Sequence, residues 1–230
     1  MKVSTRVLCF LAAFMALATV PSAKADTMTL TSPGNSGAAF NVYIGPYVAN
    51  INGVSTPVIC DDFAAASYIN ESWNANVTNL GTVATGAPAF NSGTGNYSEA
   101  AWLTLQLVGA SSKTEAAAIQ YAIWDLFDPS GVSSYLAGFS GGTGFLTDSA
   151  NVNGVQYWLN QASGSSLSSS QLAAFLIYTP TSCISGPCTT GGLPQEFLVY
   201  TPEPGTALML LIGIAALLWF KRRQHVGTVA

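Results

Sequence analysis

The chain carries four cysteines and a single histidine, and these few residues bound its chemistry. His225 lies close to the C-terminus, and no histidine occurs between residues 26 and 201. Ser-His-Asp and Cys-His catalysis are excluded there, because each needs an imidazole to take the nucleophile's proton. The usual zinc and copper sites fail for the same reason, so neither a metal nor a cofactor is expected. Asp61-Asp62 and Asp125/Asp128 offer oxygen ligands for calcium, but without the spacing of a calcium loop. They read as solvated or capping carboxylates. Two carboxylates could still hydrolyse a glycoside. The acidic residues show no pairing pattern, however, and the chain reads as a non-enzyme.

What remains is sulfur. Cys9 sits in an apolar N-terminal run. Cys183 and Cys188 flank a stretch containing the turn-forming Gly186-Pro187, and in an exported protein they are expected to close that loop as a disulfide. Cys60, in Val58-Ile59-Cys60-Asp61-Asp62-Phe63, is then unpaired. An odd cysteine in a secreted protein points to intermolecular pairing or a reactive thiol. The plainer alternative is a buried thiol packed as a small hydrophobe.

Export is legible at both ends. Lys2 and Arg6 precede the apolar run Val7 to Val20, and Ala23-Lys24-Ala25 supplies small residues for a peptidase, which predicts a signal peptide over residues 1–25. At the other end, Gly205 to Phe220 is uncharged. Sixteen residues of helix span about 24 Å at ~1.5 Å per residue. That is short of a bilayer core of about 30 Å, but Trp219 suits the interface and basic side chains can snorkel. Lys221, Arg222 and Arg223 follow and predict a cytoplasmic tail, with the rest of the chain outside.

Pro202-Glu203-Pro204, the apolar helix over residues 205–220 and the Lys-Arg-Arg cluster stand in the order of a PEP-CTERM sorting signal, which residues 202–230 resemble. The resemblance implies a bacterium with an outer membrane that makes extracellular polysaccharide. It implies processing by a signal peptidase and then by the membrane transpeptidase exosortase. The protein would be held in the inner membrane by its C-terminal helix, then released or attached at the cell surface.

Residues 26–201 form the external part, long enough for one domain with its own core. They hold ten acidic residues against the single Lys113, a net charge of −9. Phosphate backbones and anionic bilayers repel such a surface, so nucleic acid is not an expected partner.

The elements that must position Cys60 begin as strands. Thr27 to Thr31 and Phe40 to Ile44 alternate polar and apolar residues. Tyr47 to Ile51 and Val54 to Ile59 flank Asn52-Gly53, a strong hairpin signal. Residues 81–95 read as a loop. Asn96-Tyr97-Ser98-Glu99 and Ser112-Lys113-Thr114-Glu115 are capping patterns that predict two helices. The second ends at Asp128-Pro129, since proline disfavours helical geometry at the residue before it. Residues 130–147 read as glycine-rich loop, Ser149 to about Ala162 as a third helix, and Ser163 to Ser170 as a linker. Phe175-Leu176-Ile177-Tyr178-Thr179-Pro180 recurs as Phe197-Leu198-Val199-Tyr200-Thr201-Pro202, which predicts a long hairpin or two neighbouring strands.

Cys60 just after a strand with Asp61 behind it, and Gln120 within Ala118-Ile119-Gln120-Tyr121-Ala122-Ile123-Trp124, together resemble the thioester domains of bacterial surface adhesins. The resemblance covers roughly residues 40–130. It implies a β-sandwich or barrel with a helical subdomain, and a cross-link between Cys60 and Gln120. The sulfur attacks the glutamine carbonyl and expels ammonia. A partner's primary amine later displaces the sulfur, leaving a stable amide. The thiol leaves well because its pKa, about 8.5, is low beside those of amines and alcohols. Such a bond needs shielding from water. Trp124 falls one helical turn from Gln120, with Tyr121 adjacent, and both are expected to supply the shield.

The expected fold is therefore α+β: a β-rich sandwich or barrel with a small helical subdomain, plus the C-terminal transmembrane helix. The expected role is a cell-surface or extracellular-matrix protein acting in adhesion, with an amine-bearing surface partner. The alternative is a structural or polysaccharide-binding matrix protein without a reactive bond.

Overall fold

The computed structural model describes residues 25–81 and 94–201. The signal peptide, the Pro202-Glu203-Pro204 triplet, the apolar run 205–220 and the Lys221-Arg222-Arg223 cluster lie outside the described residues. Among the described residues no helix is long and apolar enough to cross a membrane.

Six antiparallel strands close into a barrel in the order β1-β4-β5-β8-β7-β6. They are β1 (Asp26–Ser32), β4 (Tyr47–Ile51), β5 (Val54–Cys60), β6 (Ser72–Asn79), β7 (Phe175–Ser185) and β8 (Phe197–Tyr200). Of the two architectures expected, the barrel is the one found. Closure leaves no edge strand with unpaired backbone. Alternation selects the inner face: Met28 and Leu30 on β1, Tyr47, Ala49 and Ile51 on β4, and Trp73 and Ala75 on β6 are buried. Inside, Trp73 stacks on Phe197 at 5.9 Å, and Tyr47 meets the same ring edge-on at 6.1 Å.

Asn52 and Gly53 turn β4 into β5 with φ of 50° and 90°, the positive pair that a two-residue hairpin requires. The repeated FLIY/FLVY segments are neighbours, with Phe175 opposite Tyr200 and Ile177 opposite Leu198. Cys183 and Cys188 form the expected disulfide, with Cα atoms 5.6 Å apart. The end of β5 (Val58, Ile59, Cys60) and the whole of Phe197–Val199 lose the alternation, every residue being buried. These segments have the barrel on one side and other elements on the other.

The covering layer is helical. Helices α1 (Thr94–Val108), α2 (Lys113–Phe127), α3 (Pro129–Ala137), α4 (Gly142–Thr147), α5 (Val155–Ser163) and α6 (Ser169–Leu172) come between β6 and β7 in the described chain. A single turn, α7 (Cys188–Gly191), follows β7. Helix α2 is central. Ala116 through Trp124 are buried without interruption, as expected of a helix surrounded on every side. It packs against α1, α3 and α5.

Ser112 caps α2 as expected, its Oγ accepting from Glu115 N at 3.1 Å. Glu115 turns back to the Ser111 backbone N–H at 2.8 Å. Replacing Ser112 with alanine is expected to cost about 1 kcal/mol. Thermal melting should register this as a fall of about 2–4 °C.

Three expectations are corrected. Residues 130–147 are not loop throughout, because Asp128 ends α2 and also begins α3. Its Oδ1 accepts from Gly131 N at 2.9 Å, and Pro129 stands where a helix lacks partners for its N–H groups. Asn96 is not a cap: α1 begins at Thr94, and the Asn96 amide donates instead to Leu126 O at 2.6 Å. Phe40 to Ile44 is not one strand. Two short strands, β2 (Ala38–Ala39) and β3 (Val42–Tyr43), pair across a turn made by Phe40 and Asn41.

Candidate functional site

Cys60 ends β5, and Gln120 lies mid-way along α2. The fold brings them together across sixty positions of chain: Gln120 Nε2 donates to the Cys60 backbone carbonyl at 2.7 Å. Both residues are fully buried. The amide orientation is the favourable one, since the opposite flip would set one acceptor against another. Gln120 Oε1 is buried and has no donor. It lies against the Gly45 backbone, where a Cβ would stand only 2.7 Å from it. Glycine at position 45 is what admits the carboxamide.

The Cys60 thiol donates to Asp62 O at 3.1 Å. Burial pushes its pKa well up, and any negative charge on Asp61 or Asp62 pushes it further, while the Trp124 indole N–H and the Asp62 backbone pull it down. The indole nitrogen makes no completed hydrogen bond in this geometry. It nevertheless lies close enough to stabilise negative charge on the sulfur. The resting group is a neutral thiol, so an attack by sulfur has to shed its proton as the new bond forms.

Aromatic rings cluster beside this pair. Tyr121 and Trp124, the two expected shields, meet edge-to-face at 5.0 Å. Phe63 packs on Trp124 at 5.1 Å, and Phe40 on Tyr121 at 5.9 Å. Tyr135 and Phe145 extend the cluster. Phe40 reaches it from the β2–β3 turn with φ of 49°, uncommon for a bulky residue. Carbonyl groups beside the turn hold it: Tyr135 Oη donates to Phe40 O at 2.6 Å and Tyr121 Oη to Ala39 O at 3.4 Å. Phe63 lies three positions after Cys60 and was not singled out in the sequence. Phe40 carried no signal either, since phenylalanine is a poor choice for a left-handed turn.

A second buried group lies beside the first. Asp61 is inaccessible and Glu196, in the segment before β8, nearly so. Glu196 accepts from Tyr97 Oη at 2.6 Å and from Thr179 Oγ1. Asp61 has no donor to either oxygen. Its pKa is raised well above the usual carboxylate range, by burial first and by the charge of Glu196 second. Burial also raises Glu196, with its hydroxyl partners opposing. Two carboxylates this close cannot both ionise out of water. Asp61 is the acid of the pair, and as an acid it can donate to Glu196.

An open cavity of about 550 Å³ lies beside these rings, lined in part by Tyr47, Phe63, Trp124 and Phe197. Cys60 and Gln120 do not line it, whereas Trp124, which neighbours the sulfur, does. The disulfide Cys183–Cys188 belongs elsewhere. It is tied to the residue just before β6, Glu71, which accepts from Cys188 N at 2.6 Å.

No protein-family model, no curated protein and no solved structure matches this chain.

Proposed function

We propose that this is an exported surface protein that attaches covalently to an amine-bearing partner through a thioester between Cys60 and Gln120. The observation that carries the reading is the Gln120 carboxamide held on the backbone carbonyl of Cys60 at 2.7 Å, which keeps the two buried side chains in one neighbourhood beside a cluster of aromatic rings. In the first step the Cys60 sulfur bonds to the Gln120 side-chain carbon, the carbon–nitrogen bond breaks, and the thiol proton leaves with the nitrogen as ammonia. In the second, an amine nitrogen takes the place of sulfur, forming an amide and returning the proton to Cys60. The partner is thereby bound once, without turnover.

Two features support this chemistry over a plain buried pair. The Gln120 oxygen lacks a donor, which costs an amide about 1–3 kcal/mol. A thioester carbonyl is a weaker acceptor and loses less there. The single Lys113 between residues 26 and 201 is exposed, and so does not compete as a buried internal amine. The PEP-CTERM-like end and its exosortase processing would bring the domain to the surface where such a partner is met.

Mass spectrometry of the unreduced protein tests the reading. The expected mass is lower than the sequence by one ammonia, beyond the two hydrogens of the disulfide. Methylamine should then add at Gln120 and free Cys60 for alkylation, and neither Cys60→Ala nor Gln120→Ala should take it up. A mass explained by the disulfide alone, with Gln120 an ordinary amide, overturns it.

A further inference from the structure

We propose that the cavity beside the aromatic cluster is a binding site for a neutral glycan, held without covalent bonding. The reasoning rests on the cavity's own chemistry and goes beyond the thioester. Its volume of about 550 Å³ falls among pockets that enclose compact ligands. No charged side chain lines it. An anionic ligand would meet no cation there and would approach a domain of net charge −9, so uronate-rich or phosphorylated chains are disfavoured. A cationic ligand would find no carboxylate.

What the cavity offers is aromatic surface with polar groups between. Tyr43 and Tyr68 stand at its mouth, 57 % and 53 % exposed, far more than rings with only a packing role. Asn41, Ser67 and Gln195 supply amide and hydroxyl groups beside them. A sugar ring matches that mixture: its C–H faces pack on aromatic rings, and its hydroxyl groups take hydrogen bonds in the ring plane. A purely apolar ligand would make no use of the polar groups. The walls are set in advance, which limits the entropy lost on binding. Tyr47 Oη is fixed on Tyr43 O at 2.6 Å, and Gln195 is tied to Ser67 Oγ at 2.9 Å and to Asp62 O at 2.7 Å.

The test is a glycan array probed with the full-length protein, holding neutral glucans, mannans and galactans beside uronate-bearing chains. Affinities follow by calorimetry. The expected result is saturable binding of one or more neutral glycans and none of the uronate-bearing set. The Tyr43→Ala/Tyr68→Ala pair should weaken binding about tenfold. Both rings are exposed, so folding should survive, and Tyr43→Trp should retain binding. Absence of any neutral ligand, equal binding of uronate-bearing chains, tetramethylammonium bound instead, or insensitivity to the tyrosine pair each overturns the proposal.

Discussion

Replacing Asp61 with asparagine is expected to stabilise the protein at neutral and alkaline pH, and to flatten the decline of its melting temperature with rising pH. The sign follows from proton counting. The folded-state pKa of Asp61 is raised well above its ordinary value and that of Glu196 is raised with it, so over a range of pH the folded state holds a proton that the unfolded state has lost. Stability therefore falls as pH rises. The decline begins near the unfolded carboxyl pKa, about 4, and ends above the folded values. Asp62 and Asp125 are displaced in the same direction by burial, and Cys60 adds to the trend once its unfolded thiol ionises. Asparagine keeps the shape, carries no charge and offers an N–H to Glu196, which can then ionise with three donors. The gain above pH 7 should be on the order of 1–3 kcal/mol, the cost of an unsatisfied buried group. At about 2–4 °C per kcal/mol, melting curves at pH 5 and pH 8 will read it. A variant with an undiminished pH slope would show that the pair does not share a proton.

The same pair shows how far the sequence could be read. Asp61 was visible beside Cys60, but Glu196 lies far along the chain in a glycine- and proline-rich stretch, and only barrel closure brings the two together. Strand β6 was hidden for a related reason. Its sequence, Ser-Trp-Asn-Ala-Asn-Val-Thr-Asn, is rich in a residue that disfavours strands, and only Trp73 and Ala75 are buried. Pairing on both sides, with β1 and β7, overrides that preference. What the sequence did announce rests on local chemistry. The Asn52-Gly53 turn, the Ser112 cap and the Cys183–Cys188 loop each need only a few neighbouring residues. The repeated FLIY/FLVY segments announced two neighbouring strands, and they pair antiparallel. The meeting of Cys60 with Gln120 was readable only as a resemblance between two separate motifs. Gly45, which makes room for the glutamine, bore no mark at all.

Removing the Trp124 ring should separate the enclosure from the bond that it is proposed to protect. Trp124→Ala deletes a buried indole packed on Phe63 and Tyr121, which typically costs about 3–5 kcal/mol. Native domains hold only about 5–15 kcal/mol, so the variant should be studied well below its lowered melting temperature. The cavity would then open towards the sulfur. Water can reach an acyl-thiol there and hydrolyse it. The carbon–sulfur bond breaks, oxygen takes its place, and the products are a free thiol at Cys60 and a glutamate at position 120. Peptide mapping should find that glutamate in Trp124→Ala and not in the parent. Trp124→Phe gives the complementary case. It keeps a ring against Phe63 and Tyr121, so water stays out, but it lacks the indole N–H that favours charge on the sulfur. The cross-link should form more slowly, leaving a larger share of unreacted Gln120 and no glutamate. Glutamate in both variants would mean that the N–H, and not the bulk of the ring, guards the bond. Glutamate in neither, with the cross-link intact, would move the shield from Trp124 to Phe63 and Phe40.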